Sequence, residues 1–198
     1  MPRFSHLSFR FVILLLIAVL LSGLSSCSKS GSGNHLQIKS PNTGDKGVAA
    51  KSGYAFAVTK SFTDLNGKIT TAASYRTYVA SYDLDAGNFA MTLDKPLPSD
   101  EQVRVVFSLV GEEGSNDKSQ LKTGSYSAKA EKYMKVEDVT IVSRKGGADT
   151  RTPLDRGTVT GEVKITSSSA DAMSGDIDLN SGELSVKGSF TARVLKRK

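Results

Sequence analysis

The sequence contains few of the residues on which catalytic and metal sites most often depend. Its 198 residues include one cysteine, two histidines and no tryptophan. A single cysteine excludes an intramolecular disulfide framework and a zinc site built from several cysteines. Two histidines leave little scope for histidine-based acid–base catalysis or metal binding. The length fits one ordinary domain, with or without a tail.

The N-terminal segment has the composition of an export signal. Arg3 and Arg10 give it a basic start without an acidic residue, and residues 11–21 form an unbroken apolar run. This run is short for a permanent membrane span, because a helix that crosses a bilayer needs roughly 20 apolar residues. A basic start, a short apolar core and small residues after it predict a secretory signal peptide over residues 1–26.

The signal ends at the only cysteine of the chain, in the segment Leu24-Ser25-Ser26-Cys27. This segment resembles the lipobox of bacterial lipoproteins, and the resemblance covers residues 1–27 only. It implies that Cys27 carries a thioether-linked diacylglycerol, becomes the mature N-terminus and anchors the chain to a membrane of the bacterial cell envelope. Two or three acyl chains hold a protein stably on a membrane. By similarity to enterobacterial sorting, Ser28 favours the outer membrane over the cytoplasmic membrane.

A polar stretch follows the cysteine. Residues 28–53 are rich in serine, glycine and lysine, which predicts a flexible linker between the lipidated Cys27 and a domain at residues 54–198. His35 lies in this stretch and is expected to be solvated. Leu36 and Ile38 flank Gln37, a short pattern that also fits an edge strand.

The remainder of the chain has the alternation of β-strands. In residues 158–166 and 184–194, apolar or small residues alternate with polar ones, as in an antiparallel sheet with one solvated face. Similar segments predict an all-β fold, an antiparallel β-sandwich of about eight or nine strands, with a β-barrel as the alternative. The last strand is long enough to bend at Gly188.

Two turn signals predict hairpins. Asn66-Gly67 is a strong hairpin dipeptide. Ser181-Gly182, taken as a two-residue loop, places Leu179 opposite Leu184 and apolar residues opposite apolar residues along both strands. A slip by one residue would set aspartates against the apolar row.

One tyrosine is a candidate for contact with a ligand. Tyr78 and Tyr82 share a strand face with apolar residues, which indicates the core, whereas Tyr75 lies on the opposite face. An exposed tyrosine is suited to stacking on a sugar or to contacting a protein. The alternative is that Tyr75 packs under a loop or across a second sheet.

Carboxylates provide the other candidate sites. Asp83, Asp85 and Asn88 supply oxygen ligands near one turn and form a weak candidate for calcium, although a full ligand pattern is missing. Paired carboxylates at 83 and 85, 112 and 113, and 176 and 178 could serve glycoside hydrolysis. Their placement at turns or on solvated strand faces predicts ordinary surface charges instead. No cofactor is predicted.

The charge distribution argues against a nucleic-acid partner. The net charge of +6 falls to +4 without Arg3 and Arg10, and the remaining basic residues are interspersed with acidic ones. The sequence therefore predicts a membrane-anchored, non-catalytic envelope lipoprotein that binds an unidentified protein or polysaccharide. The alternatives are a structural or assembly subunit of an envelope complex and, less favoured, a carboxylate-based hydrolase.

Overall fold

The computed structural model describes residues 34–87 and 93–196. The predicted signal peptide, Cys27 and Asn88 lie outside these residues. The described part of the chain forms eleven strands, more than the eight or nine expected. They are β1 (His35–Ser40), β2 (Gly44–Ala49), β3 (Ser52–Thr63), β4 (Ile69–Ala80), β5 (Val103–Val110), β6 (Gly124–Ser127), β7 (Lys135–Lys145), β8 (Ala148–Pro153), β9 (Thr160–Ser168), β10 (Ala172–Ser181) and β11 (Leu184–Leu195).

Eight of these strands close into a barrel. The order is β10-β9-β6-β7-β5-β4-β3-β11, and pairing of β10 with β11 completes the ring. The all-β class and the barrel alternative are therefore confirmed, and the preferred sandwich is wrong. The physical reason is that β11 pairs with β10 along nearly its whole length and with β3 near its end, so the sheet has no gap at which to split. The β3–β11 and β6–β7 pairs are parallel, and the other neighbours in the ring are antiparallel.

The predicted linker contains the first two strands. β1 pairs with the first half of β11, and β2 pairs with β1. Leu36 and Ile38 are almost fully buried and belong to the main core. The structure thus differs from the predicted linker over residues 35–49, because two buried apolar side chains outweigh a polar composition. The alternative prediction that Leu36 and Ile38 lie in a strand is confirmed, but the strand at the edge of the sheet is β2 and not β1.

The β10–β11 hairpin has a register two residues away from the predicted one. Ser181 pairs with Leu184, and Leu179 pairs with Val186. The two loop residues are therefore Gly182 and Glu183, with φ +60° at Gly182. A positive φ at the first loop position alone matches a type II′ turn, which requires glycine there. Because a shift of two residues keeps every side chain on its face, the apolar pattern alone could not separate the two registers.

The barrel interior is filled with side chains. Its centre contains Phe107 and Phe190, whose rings meet edge to face at 5.4 Å between centroids. A second apolar cluster lies on the outer face of β3, β4, β5 and β7, where residues 82, 84, 93 and 97 cover Tyr78 and Val106. Both faces of β4 are consequently buried over most of its length.

Candidate functional site

One end of the barrel carries a projecting hairpin. β11 pairs with β3 only through Tyr54, Ala55 and Phe56, and β3 then continues to Thr63 while remaining paired with β4. We call this the hairpin end and define it as residues 57–75, the loop 111–123 and the turn 169–171. It is the end at which β11 terminates.

The tip of the projecting hairpin is closed by a well-defined turn. The amide of Gly67 donates to the Asp64 carbonyl at 3.1 Å, and the Asp64 amide donates to the Lys68 carbonyl at 3.0 Å. The Asp64 carboxylate accepts hydrogen bonds from the amides of Asn66 and Lys68. Such side-chain bonds to the backbone are how aspartate stabilises turns, so the tip has one preferred conformation.

The hairpin is braced on its β4 edge and on one face. Beyond the end of β5, the amides of Gly111 and Gly114 donate to carbonyls of β4, and the Ser115 hydroxyl accepts from the Ala73 amide. On the same side, the Thr59 hydroxyl donates to Asp117 at 3.0 Å. Loop 111–123 therefore holds the hairpin against the barrel.

The opposite face of the hairpin is braced by Tyr133 and by the start of β7, which follows it. Phe62 packs edge to face on Tyr133, with 5.4 Å between ring centroids, and the Tyr133 hydroxyl is hydrogen bonded to Thr70. The Lys60 ammonium lies 2.6 Å from Glu137. The hairpin thus projects as a supported element.

Two large apolar side chains are exposed on this supported tip. Leu65 is fully exposed, and Ile69 is 67% exposed. They are the exposed large hydrophobic residues of the described part of the chain. A turn has no structural need for a leucine, since turns favour glycine, proline, asparagine, aspartate and serine. The Asn66-Gly67 dipeptide predicts the turn, and Leu65 next to it is the sequence signal for an exposed apolar tip, which the predicted sites did not include.

A cavity of about 470 Å³ lies at the base of the hairpin. Its apolar walls come from β3, β4 and the end of β11, and its polar rim comes from loop 111–123 and the chain after β11. The lining residues are Ala57, Tyr75, Asp117, Lys118, Gln120, Ala170, Val194, Leu195 and Lys196. Mouths of β-barrels are common places for ligand sites.

Tyr75, the candidate ligand-contacting residue, lies in the wall of this cavity. It is only 4% exposed, so it does not form the predicted exposed platform. Its hydroxyl donates to the Ser119 carbonyl at 2.7 Å. Burial raises the pKa of Tyr75, and hydrogen bonding with the backbone of Leu121 opposes that shift. The face opposite Tyr78 is buried because it points into the barrel.

The calcium candidates are ordinary surface groups where the structure describes them. Asp83 and Asp85 are exposed. Asp85 accepts from the Gly87 amide and pairs with Lys95, and these contacts lower its pKa. Asn88 lies outside the described residues. Across residues 34–87 and 93–196, no group of three histidine, cysteine, aspartate or glutamate side chains is arranged to hold a metal ion.

The carboxylate pairs proposed for hydrolysis are not assembled in the cavity. Glu112 pairs with Lys122 at 2.9 Å, and Asp178 pairs with Lys187 at 3.1 Å. Asp117 is the one carboxylate among the described residues that line the cavity. The candidate pairs therefore remain separate, exposed charges in the described structure.

Comparison with known proteins gives no relative. No protein-family model, curated protein or solved structure matches the chain. Within the described ranges, no helix combines the length and the hydropathy needed to cross a bilayer.

Proposed function

We propose that this chain is a lipid-anchored, non-catalytic binding module of the bacterial cell envelope, and that the hairpin end recognises a protein partner. The observation that carries the proposal is the exposure of Leu65 and Ile69 on a braced turn. Burying each of these side chains in a partner would contribute about 1.5–3 kcal/mol. Because the turn is held by hydrogen bonds, little conformational entropy is lost on binding.

The composition of the tip supports a protein as the partner. Leu65 and Ile69 are aliphatic and sit among single charges of both signs, at Asp64 and Lys68. A sugar ring would instead favour an exposed aromatic face. Apolar groups surrounded by a polar rim are the usual arrangement of a protein interface.

The recognition step is tested with photocrosslinking in the native envelope. A photoreactive amino acid at position 65 should give a discrete crosslinked product, and the same residue at position 183 should not. Glu183 is the matched control, since it is also an exposed hairpin-turn residue but belongs to another hairpin. The double substitution Leu65→Ser and Ile69→Ser should reduce co-purification of the crosslinked protein by tenfold or more, about the effect of losing 1.4 kcal/mol or more of binding free energy. Equal crosslinking from both positions would contradict the proposal.

The anchor is tested separately. Cys27→Ser should release the chain from membranes and abolish labelling by acyl-chain precursors, because the substituted side chain has no thiol to lipidate. Retention of membrane association and of label in this variant would show that the lipoprotein interpretation is wrong. Either result leaves the crosslinking experiment interpretable.

A further inference from the structure

Within the described part of the chain, one edge of the projecting hairpin has backbone groups without a hydrogen-bond partner. The hydrogen bond from the Asp64 amide to the Lys68 carbonyl fixes which residues of β3 bond to β4, because the residues that face a neighbouring strand alternate along an antiparallel ladder. Even-numbered residues of β3 therefore bond to β4. The C=O group of residue 57 and the N–H and C=O groups of residues 59, 61 and 63 point away from β4, beyond the last pairing of β3 with β11, and no described residue is hydrogen bonded to them.

This edge is less protected than the other edges of the sheet. The corresponding edge of β4 is covered by Gly111, Gly114 and Ser115. β8 contains Arg151 and ends at Pro153, whose missing N–H blocks a ladder. The β2 edge carries Lys46, which is tied to Glu101. Proline and β-bulges are two of the usual features that prevent another strand from pairing with an edge. Residues 57–63 contain no proline, and the register of β3 with β4 shows no bulge.

The one charge on the β3 edge segment does not guard it. Lys60 is drawn toward Glu137, which belongs to β7 and lies across β4 and β5 from the free edge. Thr59, Ser61 and Thr63 are exposed and β-branched or small. Such residues accept a neighbouring strand readily.

We propose that the partner of the hairpin end contributes an extended segment that adds as an antiparallel strand to residues 57–63 of β3. This inference rests on the proposed function and specifies how the partner is bound. Strand addition supplies affinity through main-chain hydrogen bonds, and alternate side chains supply specificity. Leu65 and Ile69 lie at the end of the same hairpin, where they contact the partner beyond its added strand.

The side chains of β3 define the partner segment. Val58, Lys60 and Phe62 share one face, so the facing segment has apolar residues opposite Val58 and Phe62 and a neutral polar residue opposite Lys60. A second copy of the chain fits less well. In the antiparallel register that pairs all seven residues, the two copies of Lys60 lie directly opposite each other, and like charges there are destabilising.

A designed peptide tests strand addition directly. The capped peptide TVTQTVT has the required pattern, and TVTKTVT places a lysine opposite Lys60. Hydrogen exchange of the purified chain is measured with single-residue resolution. Saturating TVTQTVT should slow exchange of the amides at 59, 61 and 63 by about tenfold, as expected for amides that enter a ladder. Binding of TVTKTVT should be weaker by about threefold or more.

Two matched controls separate strand addition from other binding. N-methylation of the third and fifth peptide residues removes the N–H groups that face β3 and should abolish protection, whereas N-methylation of the fourth residue should not. On the protein, Ser61→Pro removes an outward N–H that is hydrogen bonded to none of the described residues, and Ser61→Ala keeps it. Ser61→Pro should lose binding and Ser61→Ala should retain it.

The outcomes distinguish this inference from the function it refines. If crosslinking at position 65 persists in Ser61→Pro and the peptide protects no amide, the hairpin end binds a protein without strand addition, and this inference is overturned. If the chain alone forms dimers in which the amides at 59, 61 and 63 are already protected, the occupant is a second copy and the partner proposal is overturned. The peptide controls remain decisive even if Ser61→Pro fails to fold.

Discussion

Gly188 lies where the backbones of β11 and β1 approach each other closely, and replacing it should weaken the attachment of the β1–β2 hairpin. Gly188 pairs with Leu36 on one side and with Ile177 on the other, and its φ is +133°. A Cβ atom at this position would lie 2.0 Å from the His35 carbonyl oxygen and 3.0 Å from the Leu36 Cα. Gly188→Ala therefore meets both a backbone conformation that L-residues avoid and a clash with backbone atoms of β1.

The expected loss of stability is the sum of two effects. Holding a non-glycine residue in this conformation costs about 1–3 kcal/mol. To reach an ordinary contact distance, β1 must move by about 1 Å or more. That movement weakens backbone hydrogen bonds worth about 0.5–1.5 kcal/mol each. Together these effects predict a decrease of about 3–5 kcal/mol in the free energy of unfolding, which is large for one methyl group.

Urea unfolding tests this prediction, with Gly182→Ala as the matched control. Gly182 also has a positive φ, +60°, but a Cβ there would meet nothing within 4 Å. The control should cost about 1–2 kcal/mol, the backbone term alone. With a slope of about 2 kcal/mol/M, Gly188→Ala should lower the urea midpoint by about 1.5–2.5 M. Faster amide exchange in β1 should accompany the loss. Equal shifts for the two variants would refute the steric part of the reasoning.

Three further predictions concern other parts of the barrel. Burial raises the pKa of four tyrosines above 10, so the stability that depends on their neutral form is present below pH 10 and is lost as the pH rises further. Absorbance at 295 nm should show that these tyrosines ionise as the protein unfolds. Ionisation while the protein stays folded would contradict this prediction. The four tyrosines are Tyr75, Tyr78, Tyr82 and Tyr126. Asp64→Ala removes the acceptor for two turn amides and should cost about 1 kcal/mol in urea unfolding; no change would show that the turn holds without it. Arg104→Met should change the free energy of unfolding by no more than about 1 kcal/mol. Arg104→Lys should lower it by about 3–5 kcal/mol, because a lysine keeps the buried charge but loses the hydrogen bonds that Arg104 makes. Equal effects of the two substitutions would contradict that account.

Alternation predicted the strands and their faces but left their partners open. The period-2 pattern of residues 184–194 correctly gave the inward set of β11, since Val186, Phe190 and Ala192 are buried. The pattern carries no information on which strand lies beside which, and closure of the barrel depends on β11 pairing with both β10 and β3. The sandwich and the barrel share the same alternation, so only long-range pairing separates them.

The predicted linker shows the limit of composition. Residues 44–49 read GDKGVA, which has little β propensity. They nevertheless form β2, because Leu36 and Ile38 in β1 are buried against β11 and β1 leaves an edge that β2 fills. Val48 is the one large apolar residue that β2 adds to the core. Tertiary burial of three side chains thus decided the structure of a segment whose local preference is weak.

The candidate site was missed for a related reason, which Arg104 illustrates. Alternation in β5 places Arg104 on the face opposite Val103 and Val105, where a solvated charge is expected, yet it is 1% exposed. Its Nη1 donates to the Tyr82 hydroxyl and the Lys95 carbonyl, both from the segment that crosses this outer face, while Nε and Nη2 have no hydrogen-bond partner among the described residues. Whether a polar strand face is covered depends on the path of a distant segment. A distant segment covers the outer face at Arg104, whereas no described segment covers Leu65. The buried and exposed surfaces of this protein could therefore be assigned only after its chain path was known.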